Sequence, residues 1–295
     1  MSKKFVFVCG LHRSGTTLLA SEIARLDGCS GFHETRVLMD EGQFLQDVYP
    51  PDTKAGGVGE FGFCEASHRT EQSPLLTDDN IRRLRDCWRV HWDKDARVCI
   101  EKTPSNILAT RFLQTCFPGS CFVVVKRHPV AVSLATQKWS RTPVHRLFDH
   151  WLRCHEIFEK DKWHLKHVHE LSYEEYVSNP VGALDNIAKF LGRPPVEANA
   201  SQANGSYNEK YLARWRNMVS SSWLTPYYHR IIDTYEDRFL GYGYSLKEGL
   251  GFDLGEPKRR NKLVGEGVKF LANLGKPVAR GSIKLEVAIR KWRTR

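Results

Sequence analysis

Nowhere does this chain of 295 residues present a run of about 20 apolar residues, the length that crosses a bilayer as a helix. The apolar segment before Gly10 spans about six residues, too few for the h-region of a secretory signal. The chain therefore reads as a cytoplasmic protein. No two of its eight cysteines form a CxxC pair, and several sit inside apolar runs, which argues for buried free thiols rather than a disulfide framework or a zinc site. There is no internal repeat and no low-complexity tract. Net charge is also missing from most of the chain. Residues 257–295 carry 12 Lys and Arg against 2 Glu, which accounts for the whole +10. The rest is neutral, so the overall basicity says nothing about a site in the body of the protein.

What is present is a packed core in the making: 41% hydrophobic and 11% aromatic residues. KFVFVC (4–9) reads as a short buried strand, GLHRSGTT (10–17) as a loop, and LLASEIARL (18–26) as a helix. RVCIE (97–101) and CFVVVK (121–126) read as further buried strands, with NILATRFLQTCF (106–117) as the helix between them, a parallel βαβ unit. Helices are expected from 128, over 148–163, over 179–192 between Asn-Pro and a terminal Gly, and over 223–240. Residues 164–176 hold a short strand, and 193–210 read as a loop. Residues 42–80, rich in Gly, Pro and polar side chains, read as an insertion or lid. The fold class expected is α/β: a P-loop-like parallel sheet flanked by helices, with one domain over 1–250 and a basic extension over 251–295.

The loop Gly10–Thr17 has the spacing GxxxxG-x-[ST] between a strand and a helix. Glycines let backbone N–H groups wrap an anion, and the helix N-terminus favours negative charge there. Nucleoside-triphosphate loops place a lysine just before the Ser/Thr, against the β- and γ-phosphates. Thr16 occupies that position here. An anion with less charge is implied, with Arg13 supplying a cation from inside the loop.

GLHRSGTTLL resembles the 5′-phosphosulfate-binding loop of sulfotransferases that use 3′-phosphoadenosine-5′-phosphosulfate (PAPS), nearest their tyrosylprotein-like and bacterial branch. FVVVKRHP (122–129) resembles the family's strand ending in Arg-x-Pro. LSYEEY (171–176), followed by Asn179-Pro180 and FLG (190–192), resembles a third signature. The resemblance implies PAPS as co-substrate, its desulfated form PAP as product, and no metal. It places His12, Arg13, Ser14, Gly15, Thr16 and Thr17 around the 5′-phosphosulfate and Arg127 on the 3′-phosphate, a group that suits a bidentate guanidinium. Ser133 or Thr136 would assist Arg127, and Tyr173 would lie near the adenine.

FHETRV (32–37) resembles an EETRV stretch of the tyrosylprotein branch whose second Glu is the base. This implies Glu34 as catalytic base and Arg36 as an acceptor-side cation. His33 is the rival base, since a free imidazole titrates near neutrality. EKTP (101–104) resembles a turn whose lysine stabilises charge on the transferring group, so Lys102 joins Arg13 as an electrophilic catalyst. EKYLARW (209–215) departs from the tyrosylprotein pattern: Ala213 stands where a serine is expected, so either Ser206 or another donor compensates, or the enzyme is not a tyrosylprotein sulfotransferase in detail. With no signal anchor in view, a small-molecule, lipid or carbohydrate acceptor is expected rather than protein tyrosine. The tail interleaves basic and apolar residues, a pattern shared by an interfacial helix on anionic lipid and by a solvated extension; no nucleic-acid partner is expected. The competing activity is a P-loop kinase using ATP, against which stand the missing lysine and the lack of an apolar strand ending in a magnesium-binding Asp.

Overall fold

The first apolar segment forms strand β1 (Lys4–Gly10) and the glycine loop leads into helix α1 (Thr16–Ala24), in a computed structural model that describes residues 3–194, 206–248 and 250. Strands β2 (Cys29–Gly31), β3 (Val98–Lys102), β4 (Cys121–Lys126) and β5 (Val168–Ser172) join β1 in one sheet of order β2-β3-β1-β4-β5. Every pairing is parallel. The expected α/β fold with a parallel sheet is what forms. β1 is central and lies between two layers, which is why its sequence is a continuous apolar run rather than an alternating one.

Within that run, alternation assigns the two faces. Val6 and Val8, with Ile100, Val123 and Val125, pack on Leu19 and Ile23 of α1 and on Leu184 and Ile187 of α7 (Pro180–Leu191). Phe7 faces the other way. Its ring centroid lies 6.1 Å from Trp88 on α2 (Asp78–Arg89) and 5.4 Å from Phe117, just after α3 (Thr110–Cys116). Aromatic contacts of this kind add roughly 0.5–1.5 kcal/mol each beyond the area they bury.

The described chain falls into two compact units. The first combines 3–128 with 153–194 and contains the whole sheet. The second combines 129–152 with 206–250: helix α4 (Pro129–Ser140), the first half of α5 (Val144–Asp161), α8 (Ser206–Ser221) and α9 (Thr225–Leu240). In it Phe148 packs against Trp215, Tyr235 and Phe239, and the Trp215 indole N–H donates to the Leu246 carbonyl at 2.8 Å.

Four elements differ from the sequence reading. The helix expected over 106–117 is broken: a 3₁₀ turn (Pro104–Leu108) precedes α3, and Ala109 between them is not helical. The loop expected to run to 210 gives way to α8 at Ser206. Helix α2 and strand β2 were not expected. All eight cysteines are free, and Cys9, Cys99, Cys116, Cys121 and Cys154 are buried. Among the described residues, no helix is long and apolar enough to cross a membrane. The expectations for 251–295, membrane contact included, lie outside the described residues.

Candidate active site

The loop after β1 turns on two left-handed residues, Arg13 (φ 71°) and Gly15 (φ 99°). Gly15 is required there for a second reason. A Cβ at this position would lie 2.7 Å from Cδ2 of Tyr173, closer than any side chain tolerates. The N–H groups that open α1 have no acceptor within the helix and point ahead of it, toward the loop. Ser14 is fully buried, and its hydroxyl has no hydrogen-bond partner among the described residues. Arg13 and Thr17 are exposed, Thr16 is buried, and His12 is half-buried. A buried, unused hydroxyl at the head of a helix suits an anion rather than a packing role.

Arg127 follows β4 and reaches this same loop. Its Nη1 donates to the Arg13 carbonyl at 2.8 Å, and its guanidinium lies 4.0 Å over the centroid of the Tyr173 ring. Tyr173 opens α6 (Tyr173–Ser178), which is held by a reciprocal cap: Ser172 Oγ accepts from the Glu175 N–H at 3.0 Å, and Glu175 Oε2 accepts from the Ser172 N–H at 2.6 Å. Hydrogen bonds from Ser172 hold the Glu175 carboxyl below its ordinary range. Glu174 accepts from the His128 N–H at 3.0 Å, fixing the residue after Arg127. Tyr173, expected near an adenine, is thus a buried ring, 5% exposed, wedged between Gly15 and Arg127. Ser133 and Thr136 are buried on α4, in the second unit.

At the end of β3 the side chains of Glu101 and Lys102 are both buried. Glu101 Oε1 accepts from the Gly42 N–H at 2.9 Å and the Thr103 hydroxyl at 2.5 Å, and Oε2 accepts from Asn106 Nδ2 at 2.6 Å. Burial pushes the Glu101 carboxyl up to about 7, against the hydrogen bonds from Thr103 and Gly42 and the charge of Lys102, with Glu41 adding to the rise. Gly42 is clamped from both sides, since its carbonyl accepts from Trp88 Nε1 at 3.0 Å. A Cβ on Gly42 would meet the Glu101 carboxylate at 2.6 Å. Lys102 Nζ donates to the Met39 carbonyl at 2.9 Å and to Glu41 Oε1 at 3.1 Å.

Residues 33–40 form the segment whose Met39 carbonyl holds Lys102. Glu34, Arg36, Met39 and Asp40 all have left-handed φ, and the turn is closed by Asp40, which accepts from the Thr35 N–H at 2.8 Å and the Thr35 hydroxyl at 2.5 Å. Burial raises the Asp40 carboxyl, but the bonds from Thr35 and the Glu34 amide, with the Lys102 charge, outweigh it and leave the carboxyl below its ordinary value. His33, Glu34 and Arg36 are exposed. Four non-glycine residues in a sparsely populated region within seven positions is the kind of strain that gathers at functional sites.

The structure therefore brings the loop 12–17, Arg127 and Tyr173 together, and brings Lys102 to the segment that carries Glu34. Reading the sequence missed Glu41, Gln43, Asp52 and Glu101, all buried polar residues linked to this region. Glu101 stood inside a motif already singled out; the others lie in 41–55, where no local pattern marks them.

No curated protein matches the chain. Among solved structures, a sulfotransferase domain from the curacin biosynthetic pathway is 16% identical, covering 83% of this chain and 99% of that one, with a TM-score of 0.46. A sulfotransferase from Mycobacterium tuberculosis H37Rv is also 16% identical, over 82% of this chain and 77% of that one, with a TM-score of 0.46. One from Alicyclobacillus acidocaldarius is 14% identical, over 81% and 97%, with a TM-score of 0.41. The family model described as “Sulfotransferase family” matches residues 6–197, more than half of the chain, and the chain belongs to that family.

Proposed function

We propose that this sulfotransferase moves a sulfuryl group from PAPS to a hydroxyl or amine of a small-molecule, lipid or carbohydrate acceptor. The observation that carries the donor assignment is the loop itself. It has Thr16 where a triphosphate loop has lysine, a buried hydroxyl at Ser14 without a partner among the described residues, and Arg127 tied to its Arg13 carbonyl. Arg127 is the residue assigned to the 3′-phosphate, which would explain an arginine held beside a loop built for the 5′ end.

In the reaction, the acceptor oxygen or nitrogen attacks sulfur in line with the bond to the bridging phosphate oxygen. That bond breaks, its electron pair leaves with PAP, and the acceptor proton passes to a base. Glu34 is the proposed base and His33 its rival; Glu34 is exposed, so the proton it takes can pass on to water. Arg13 and Lys102 offset the charge on the leaving and transferring oxygens. Positioning by the loop and by the end of β3 supplies the remainder of the catalysis.

Thermal unfolding with candidate nucleotides tests the donor assignment. PAP at about 100 times its dissociation constant, with EDTA present, is expected to add roughly 2.7 kcal/mol of stability. Stabilisation by ATP or ADP only with magnesium, and none by PAP, would overturn the assignment in favour of a kinase.

A further inference from the structure

The lysine at the end of β3 is occupied. Its partner Glu41 is 6% exposed at the side chain, Lys102 is 7% exposed, and they meet at 3.1 Å. Behind Glu41 the polar contacts continue inward. Gln43 Nε2 donates to Glu41 Oε2 at 2.6 Å, and Gln43 Oε1 accepts from the Asp52 N–H at 2.9 Å. The Asp52 carboxylate in turn lies 3.0 Å from Nε2 of His12, in the loop after β1. Glu41, Gln43 and Asp52 are all buried, so this is a largely buried chain of contacts between the glycine loop and the end of β3. Two further carboxylates act on the same ammonium, those of Glu101 and Asp40.

A buried ion pair is a weak source of stability, because desolvation offsets most of the attraction. Its location is more informative. Lys102 is the cation that the proposed function assigns to the transferring sulfonate, and a sulfonate arriving there must share it with Glu41. We propose that Glu41 is a positioning residue that holds the Lys102 ammonium in place before the donor binds and competes with the donor's sulfonate for it, with Gln43 setting the strength of that competition. The inference rests on the assignment of Lys102 to the sulfonate. Gln43 acts through the second carboxylate oxygen: while its amide donates there, part of the carboxylate's hydrogen-bonding capacity is already used, and the grip on Lys102 is weaker.

PAP and PAPS differ only in the sulfonate, so their affinities separate this effect from general damage to the nucleotide site, and no acceptor is needed. Calorimetric titration of the full chain with each nucleotide is the test. Glu41→Gln is expected to bind PAPS more tightly, on the order of tenfold, with PAP unchanged, since one opposing charge is removed from the sulfonate's site. Gln43→Met is expected to move the PAPS affinity the opposite way relative to that of PAP. The pair Glu41→Gln with Lys102→Met, which removes both members of the ion pair, is expected to lose the gain in PAPS affinity seen with Glu41→Gln alone. A merely structural role would weaken both nucleotides together in every variant. If Glu41→Gln is recovered unfolded, Gln43→Met decides by its sign. Equal shifts for PAP and PAPS, or none, overturn the inference. Failure of the unaltered protein to bind either nucleotide would instead overturn the donor assignment on which it rests.

Discussion

Gly15 meets three demands at once: it takes a left-handed φ of 99°, it opens α1, and it leaves room for the Tyr173 ring on which Arg127 is stacked. Gly15→Ala should therefore do more than strain one residue. The methyl group would push on the ring and, through it, on Arg127. The expected loss is about 1–3 kcal/mol, from the disfavoured backbone and the overpacking together. PAP affinity should fall by at least about tenfold, since the loop N–H groups and Arg127 are displaced together. Chemical denaturation and PAP titration of the variant check both, and unchanged PAP binding would mean that the loop tolerates a side chain against Tyr173. The loop itself was legible in the sequence because its function depends on local spacing, eight residues between a strand and a helix. The motif places Tyr173 near the adenine; its packing on Gly15 is a separate contact that joins positions more than 150 residues apart, and no local pattern carries such a pairing. The same holds for Glu41 and Lys102, and for Gly42 and Glu101, which meet only because β3 ends beside the segment after residue 40.

At the level of elements, periodicity revealed the strands of the sheet that are buried on both faces and missed what is short or polar. β2 has three residues. α2 buries only Leu84 and Trp88, four apart on one face, and is mostly charged elsewhere, so its signal rests on the Thr77 cap, whose hydroxyl accepts from the Asn80 N–H at 3.2 Å. The helix expected over 106–117 breaks because its start is tethered: Asn106 is tied to Glu101, and a 3₁₀ turn serves that bond. Glu101 is thus the joint between β3, this turn and the segment at Gly42, and its ionisation acts on all three. In the unfolded chain its carboxyl ionises near the ordinary 4.5, whereas in the fold burial holds it up to about 7. The fold therefore favours the protonated form. That contribution is complete below about pH 4.5 and is lost as pH rises through 7, an effect on the order of 3 kcal/mol. Glu101→Gln, which cannot ionise, should flatten the fall in unfolding free energy between pH 5 and 8. Urea unfolding across that range is the measurement, and identical slopes in the two proteins would show that Glu101 is already ionised at pH 5.

For the whole molecule, the decisive property is how charge is divided. The glycine loop, Arg127, the end of β3 and the segment carrying Glu34 all belong to the unit that holds the sheet, at the carboxyl ends of parallel strands, where open α/β sheets place their ligands. The excess charge is elsewhere in the sequence: residues 257–295 carry all of the +10. PAP is a multiply charged anion, so two contributions to its capture can be separated. The fixed contacts of the site set how tightly it is held. The field of the 12 basic residues in 257–295 affects how fast it arrives, through an interaction screened over about 8 Å at physiological ionic strength and about 30 Å at 0.01 M. A chain ending at residue 256 should therefore bind PAP several-fold more slowly than the full chain in about 0.01 M salt, with the two rates converging near 0.15 M. Dissociation rates should match at both salt concentrations. Stopped-flow association and displacement of PAP give all four quantities. A shortened chain that released PAP faster at high salt would show that residues after 256 touch the nucleotide directly, and the division between holding by the site and steering by the extension would then fail.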